Sequence, residues 1–162
     1  MKILILHTEY QHKGGEDTVV QQERTLLEQE HEVQTMIFRN HDGLKGALQF
    51  LCSIWNVNAA HKVKRHIRQF KPDVVHLHNW HFAMGPLVIR AIAGERVPIV
   101  VTLHNYRLLC PSALLLHNGS VFRDSVQAAF PWKAIRNKVY RNSYLQTFWL
   151  AFVHWWHRRV GT

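Results

Sequence analysis

Three short apolar runs in this chain each end in a histidine. They are Lys2–His7 (KILILH), Asp73–His78 (DVVHLH) and Ile99–His104 (IVVTLH). Runs rich in Val, Ile and Leu without polar alternation are typical of strands that are buried on both faces, as in a parallel sheet. Parallel strands point the same way, so they would bring these histidines to one edge, where open α/β folds bind ligands. The pattern therefore predicts an α/β fold with a ligand site at that edge.

The length and composition of the chain are those of one globular domain, which we place over residues 1–162. A hydrophobic content of 47% and a charged content of 19% exclude wholesale disorder. The two cysteines, Cys52 and Cys110, lack the spacing of a disulfide framework, which favours a reducing compartment. The N-terminus has no signal-peptide cleavage site, and no stretch reaches the ~18 apolar residues of a spanning helix. We therefore predict a cytoplasmic protein.

The net charge of +9 is concentrated in the second half of the chain. Residues 1–81 carry ten Lys and Arg against nine Asp and Glu, whereas residues 82–162 carry ten against two. This asymmetry indicates an anionic partner: nucleic acid, a phosphorylated ligand or an acidic membrane surface. The basic residues are scattered among apolar ones and no nucleic-acid recognition motif is present, so we expect no nucleic acid as a partner.

Strand and helix patterns alternate along the first two thirds of the chain. We expect strands over Lys2–His7, Glu32–Phe38, Val74–His78 and Ile99–Leu103, and helices over Asp17–Glu30, Leu44–Val57, Ala59–Phe70 and Pro86–Ala93. Such alternation is typical of right-handed βαβ units. It predicts an α/β, Rossmann-like, doubly wound and mainly parallel sheet.

After His104 the pattern changes. The dipeptide Asn118–Gly119 between apolar runs predicts a β-hairpin. From Pro131 onward the sequence predicts a C-terminal helical segment in two pieces, with a break near Asn142–Ser143.

The second helical piece carries an apolar stripe at helical spacing. Its members are Leu145, Phe148, Trp149, Phe152, Trp155 and Trp156. We expect this stripe to pack against protein, with His154 and His157 on the solvent side. The alternative is a peripheral membrane contact, in which the stripe and the lysines and arginines around it lie on anionic lipid.

A glycine pair, Gly14 and Gly15, stands between the first strand and the first helix, within a loop over Thr8–Glu16. Backbone N–H groups at a helix N-terminus favour a phosphate there. The pair forms neither a G-x-G-x-x-G motif nor a Walker motif, and the alternative is a tight turn that needs positive φ. The adjacent Asp17 disfavours a highly anionic ligand directly on the helix end.

Three long segments of the chain stand in the form and order typical of one enzyme family. The first is HTEYQHKGGEDTVVQQERTLLEQEHEV, the second is PDVVHLHN at Pro72–Asn79, and the third is TLHNYRLLCPSALLL at Thr102–Leu116. Together they resemble the N-terminal domain of family-4 glycosyltransferases of the two-domain GT-B type. The resemblance covers most of residues 1–120.

In that family the N-terminal domain mainly receives the acceptor, and the C-terminal domain holds most of the sugar nucleotide. The resemblance implies the acceptor-side domain of a glycosyltransferase that moves a sugar from a nucleotide-sugar donor to a glycan or lipid-linked acceptor, in polysaccharide biosynthesis. It also implies a retaining reaction, without an obligatory metal and without a cofactor beyond the nucleotide-sugar substrate. A lipid-linked acceptor would place the protein at the inner face of the membrane.

The resemblance assigns Gly14 and Gly15 to the donor diphosphate and His104 to catalysis beside the donor sugar. An imidazole donates a hydrogen bond in either protonation state near neutrality. It therefore suits the charge that develops on a leaving diphosphate. Arg107 follows closely in sequence and offers the diphosphate a planar, permanently charged fork.

The predicted acceptor contacts lie at two corners with the same His-Asn-aromatic pattern. They are His78, Asn79, Trp80, Asn105 and Tyr106. The two aromatic side chains either stack on sugar rings or cover the sheet edge, and the two asparagines either bind hydroxyls or cap their turns. His76 shares a strand face with His78, and we expect it to be buried and hydrogen-bonded. His7 marks the start of the glycine loop.

Four histidines near the predicted edge raise the question of a zinc site. They are His76, His78, His81 and His104. No HExxH-like spacing is present, and neighbouring strands rarely place three imidazoles around one ion, so we expect no metal. Cys110 lacks the further cysteines that relatives often carry, and we expect it to be a packed thiol.

Family members also have a second Rossmann-like domain with acidic donor-binding residues, for which this chain has no room. We expect the C-terminal donor-binding domain to be absent and a further domain or second subunit to supply it, so that the chain alone has little transferase activity. The alternative is a non-catalytic sugar-binding or regulatory subunit of a split transferase.

Overall fold

The structure, a computed structural model, describes residues 1–10 and 14–161. Residues 11–13, in the middle of the predicted glycine loop, lie outside the described residues. The chain divides into two compact units, Met1–His104 and Asn105–Thr162, called unit 1 and unit 2 below.

Unit 1 alternates strands and helices as the sequence predicts. Its elements are β1 Lys2–Glu9, α1 Gly15–Leu27, β2 Glu32–Arg39, α2 Gly43–Cys52, a 3-10 turn Ser53–Trp55, α3 Val57–Phe70, β3 Val74–Leu77, α4 Leu87–Gly94 and β4 Ile99–Val101. The predicted element ends coincide with these or differ by one to three residues, except that the helix predicted to reach Val57 ends at Cys52 and is followed by the 3-10 turn. Every strand and helix predicted in this part of the chain is confirmed.

The four strands of unit 1 form one parallel sheet in the order β2-β1-β3-β4. This confirms the predicted α/β, Rossmann-like fold. From β1 the chain passes to β2 on one side and later to β3 on the other, so the order reverses between β1 and β3. A crevice at the carboxyl ends of such a strand pair is where doubly wound sheets bind ligands.

Side chains of β1 and β3 alternate between two cores, as the pleat of a strand requires. Leu4 and Leu6 of β1, with Leu77 of β3, pack among the helix residues Val63 and Val88. Ile3 and Ile5 of β1 point to the other face and pack with Val20 of α1. Helices therefore cover both faces of the central strands.

The prediction that β4 is buried on both faces was wrong. It is shorter than the predicted Ile99–Leu103, and Val100 is 53% exposed. The physical reason is position: β4 is the outer strand of the described sheet and pairs with β3 on one side.

Unit 2 begins with a hairpin and ends with a long helix. Its elements are β5 Leu116–His117, β6 Ser120–Val121, α5 Trp132–Arg136 and α6 Tyr144–Arg159. The hairpin turn at Asn118–Gly119 and the helix break before α6 are confirmed.

Cys110 is fully buried, with its Sγ 3.2 Å from the Ser112 hydroxyl, which confirms a packed thiol.

The apolar stripe of α6 is turned outward more than predicted. Leu145 is 82% exposed, and Phe148 and Trp156 are also exposed. The side chains of α6 that are buried lie on another face: Thr147, Leu150, Ala151, Val153 and His157. The prediction that His157 lies on the solvent side was therefore wrong.

Within the described residues, no helix has both the length and the apolar character needed to cross a membrane.

We expect Thr147→Val to lower the free energy of unfolding of unit 2 by about 1–2 kcal/mol. The buried hydroxyl donates to the Ser143 carbonyl at 2.7 Å and accepts from the Tyr140 N–H at 3.2 Å. Valine keeps the shape but leaves both backbone groups without this partner. Chemical denaturation measures the loss. The matched control is Thr25→Val, at an exposed position of α1 where the hydroxyl donates to the Gln21 carbonyl. An equal loss in both variants would contradict the prediction.

Candidate functional site

The predicted meeting of the strand histidines occurs in unit 1. The rings of His7 and His78 lie edge to face with centroids 6.1 Å apart, and those of His78 and His104 are stacked at 5.3 Å. The strand register brings them together, because Leu6 pairs with Leu77 and the Leu77 carbonyl accepts from the Thr102 N–H. His7 does not end its strand as predicted: β1 continues to Glu9.

The three histidines differ in their access to a ligand. His7 and His78 are each 1% exposed, whereas His104 is half-buried. His104 is therefore the member of this row that can contact a substrate directly. The buried His78 lies against His104, with its Nδ1 3.0 Å from His104 Nε2.

His76 lies in β3 and His78 follows β3 directly, and burial favours the neutral form of both. Burial is the main cause that lowers the pKa of His78 to about 3, and the nearby imidazoles of His76, His104 and His7 contribute. Burial also lowers the pKa of His76, against the opposing effect of Glu23. His76 is half-buried and its Nε2 lies 2.8 Å from the Thr102 hydroxyl, as predicted for a hydrogen-bonded histidine.

Asp17 connects the glycine pair to the row of histidines. Its Oδ2 accepts from the Gly14 N–H at 2.7 Å, and its Oδ1 lies 2.8 Å from His7 Nε2. The side chain thus occupies part of the helix N-terminus, where the sequence placed it. It also explains why a buried polar ring is tolerated at His7.

The glycine pair is not a positive-φ turn, so that alternative was wrong. Gly14 has φ −122° at the N-cap of α1, and Gly15 is the first residue of the helix. A Cβ added to either glycine would meet no atom of the described residues within 4 Å. The packing of that part of the chain therefore does not require glycine at these positions.

The residues after His78 hold the strand ends together. Asn79 is buried, its Nδ2 donates to the Thr8 carbonyl at 3.2 Å, and its Oδ1 accepts from the His81 N–H at 3.1 Å. Trp80 is 5% exposed and belongs to the core cluster of unit 1. Of the two roles considered for each, these contacts favour turn capping for Asn79 and coverage of the sheet edge for Trp80.

The remaining predicted residues belong to unit 2. Asn105 Oδ1 accepts from the Arg107 N–H at 3.0 Å, which is the capping role, and Tyr106 is exposed. Arg107 is buried, donates to the Pro111 carbonyl at 3.2 Å and lies 5.5 Å from the centre of the Tyr140 ring. Its guanidinium therefore has structural contacts within unit 2.

Glu23 is a site residue that the sequence analysis missed. Its Oε2 lies 3.3 Å from His78 Nε2 and 3.6 Å from His76 Nδ1. A signal was present: Glu23 stands three residues after Val20 and four before Leu27, which both pack inward from α1. A carboxylate at that helical spacing must face the sheet.

Comparison with known proteins gives the family of the chain. The family described as Glycosyltransferase Family 4 matches residues 12–160. The glycogen synthase of Desulfitobacterium hafniense (strain DSM 10664 / DCB-2) is 33% identical over 48 residues, which cover 26% of this chain and only 10% of that enzyme. No solved structure matches the chain. Since the family match extends over most of its length, the chain belongs to glycosyltransferase family 4.

Proposed function

We propose that this chain is the acceptor-side domain of a retaining glycosyltransferase, which moves a sugar from a nucleotide-sugar to a glycan or lipid-linked acceptor. One observation carries the proposal. An unbroken line of contacts leads from the helix N-terminus to the half-buried imidazole, through Gly14, Asp17, His7, His78 and His104. It joins the position suited to a diphosphate with the position suited to the reacting sugar.

The two ends of this line of contacts are suited to the negative charge on the leaving diphosphate and to the positive charge on the sugar, which develop together during sugar transfer. As the bond from the anomeric carbon to the diphosphate breaks, negative charge grows on the leaving oxygens, and the dipole of α1 and the backbone N–H groups of its first turn stabilise it. The sugar becomes oxocarbenium-like. His104, oriented by the ring stacked on it, donates a hydrogen bond to a sugar hydroxyl or a phosphoryl oxygen.

The other wall of the reaction cleft comes, in this proposal, from a donor-binding domain or second subunit. The chain spans about a tenth of the length of the curated relative it matches. Exposed Tyr106 offers a stacking face to an acceptor sugar. For a lipid-linked acceptor, the exposed Leu145, Phe148 and Trp156 of α6 supply a contact with the inner face of the membrane.

The test compares this chain alone with the chain expressed together with the coding sequence that flanks its own. Released nucleoside diphosphate is measured with a panel of nucleotide sugars, against glycan acceptors and against lipid-linked acceptors in anionic vesicles. Transfer by the combined polypeptides and not by the chain alone supports the proposal. Robust transfer by the chain alone overturns the need for a donor half. Sugar binding without transfer in either preparation favours a non-catalytic subunit.

The variant Gly15→Ala tests whether Gly15 contacts the sugar donor or is needed only for the stability of the fold. Alanine is about 1 kcal/mol better than glycine inside a helix, and among the described residues no atom lies within 4 Å of a Cβ at this position. We expect unchanged or raised stability but at least about tenfold weaker use of the donor, because the methyl group enters the space proposed for the diphosphate. The KM for the donor and the melting temperature are measured in the transferase assembled with its donor half.

Gly94→Ala is the matched control for this variant. Gly94 lies in α4, is exposed, and a Cβ there also meets no atom of the chain. We expect the same gain or neutrality in stability with no change in KM. An unchanged KM in Gly15→Ala would remove the diphosphate from the space in front of α1.

A further inference from the structure

Three side chains of unit 1 bring their ligand atoms together beside the row of histidines. Glu23 lies in α1, His76 lies in β3, and His78 follows β3 directly. Each side chain places one ligand atom within 4.8 Å of the other two. We propose that these three residues bind a divalent transition metal ion, with Zn²⁺ the best chemical fit. This inference goes beyond sugar transfer and does not depend on it.

The atoms that face one another are the ones that remain unpaired. His78 Nε2 and Glu23 Oε2 are buried and lack a hydrogen-bond partner among the described residues, although they lie 3.3 Å apart. A buried unpaired nitrogen and a buried unpaired carboxylate oxygen are costly. A cation between them would satisfy both with one set of bonds.

The opposite side of each ring is held as it is in known metal sites. His76 Nε2 lies 2.8 Å from the Thr102 hydroxyl, and His78 Nδ1 lies 3.0 Å from His104 Nε2. A metal-binding imidazole usually donates its second ring N–H to such a partner, which fixes both its tautomer and its direction. With both rings in that tautomer, His76 Nδ1 and His78 Nε2 present lone pairs towards Glu23.

The donor set decides which metal fits. Two imidazoles and one carboxylate are the ligands that Zn²⁺ takes in sites with an open fourth position. Mg²⁺ and Ca²⁺ prefer oxygen ligands, so two nitrogen donors disfavour them. The set contains no thiolate, which disfavours Cu(I).

A bound ion would affect the proposed transferase site by fixing the orientation of side chains in it. His78 contacts both the proposed ion and His104, so a fixed His78 ring holds the direction of the half-buried imidazole. The expectation of no metal site rested on the spacing of histidines and on how neighbouring strands place them. The carboxylate comes instead from helix α1, which that reasoning did not include.

Zinc binding to the purified chain, stripped with EDTA, tests the proposal. We expect one Zn²⁺ per chain in competition with a chromophoric chelator, and a higher melting temperature with zinc. Glu23→Gln and His76→Asn should weaken binding at least about tenfold, and Thr102→Val, which removes a partner of a ligand, about tenfold. Binding that is equally strong in all three variants overturns the proposal, as does the absence of binding at equimolar zinc.

Two exposed side chains serve as controls. Glu28→Gln at the C-cap of α1 and His61→Asn on α3 should leave the zinc affinity unchanged. Far-UV circular dichroism shows whether each variant folds.

A measurement on the wild-type chain does not need the variants at all. In long-range ¹H–¹⁵N spectra, zinc should shift His76 Nδ1 and His78 Nε2 first among the ring nitrogens. Shifts confined to other histidines would overturn the site. Sugar transfer measured with and without EDTA tests the proposed function separately.

Discussion

We expect His104→Ala to lower kcat for sugar transfer by about 100- to 1000-fold when the chain is assayed together with the donor half proposed above. The imidazole is the half-buried end of the line of contacts, so in the proposed site it is the ring nearest to the departing diphosphate or the sugar. Its loss removes a hydrogen bond that strengthens only as charge develops, and KM for the donor changes much less than kcat. The melting temperature stays within a few degrees because the side chain is partly exposed.

A substitution at a second histidine shows whether the loss of any half-buried imidazole lowers kcat. His117→Ala, in the hairpin of unit 2, is half-buried as well and should leave kcat unchanged. His78→Asn should lower kcat less than His104→Ala and alter its pH profile, since it removes the ring that orients His104. If His104→Ala kept wild-type kcat, the reacting centre would have to lie elsewhere.

We expect His154 to lower the free energy of unfolding of unit 2 by about 2 kcal/mol between pH 8 and pH 5. Burial is the main cause that lowers the pKa of His154 to about 3, and the charges of Arg107, Arg158 and His157 contribute. The unfolded chain takes up a proton near pH 6.5, whereas the folded chain does not. The stabilisation is therefore complete above pH 6.5 and is lost as the pH falls towards 3.

The variant His154→Gln removes the titration and should flatten this pH dependence by the same amount. Urea unfolding is followed by tryptophan fluorescence at several pH values, with EDTA present throughout. His61→Gln, an exposed substitution in unit 1, should leave the slope as in the wild type. An equal slope in the wild type and His154→Gln would show that His154 is not kept neutral by the fold.

Much of unit 1 is predictable because its signals are local. The apolar runs before His7 and His78 can be buried only as central strands, and Pro72 and Pro98 punctuate the chain before β3 and β4. Parallel strands then carry their following residues to one edge. The gathering of His7, His78 and His104 follows from these local facts.

Burial of individual side chains is less predictable because it depends on what covers them. Trp80 and Tyr106 follow the same His-Asn pattern, yet the structure buries Trp80 in a core and exposes Tyr106. Val100 looks like a core residue, but its strand is the outer one in the described sheet. Strand order is decided by long-range pairing, which no short run encodes.

By itself, the sequence determined the alternation of strands and helices, the edge at which the strand histidines gather, and the resemblance to a family. Local periodicity and the direction of parallel strands are sufficient for the first two, and three motif segments carry the third. Only the tertiary structure decided that His104 is accessible while His78 is buried, and that Glu23 meets His76 and His78. The physical reason is that those contacts join a helix and strands far apart in the chain, so they exist only once α1 has packed on the sheet.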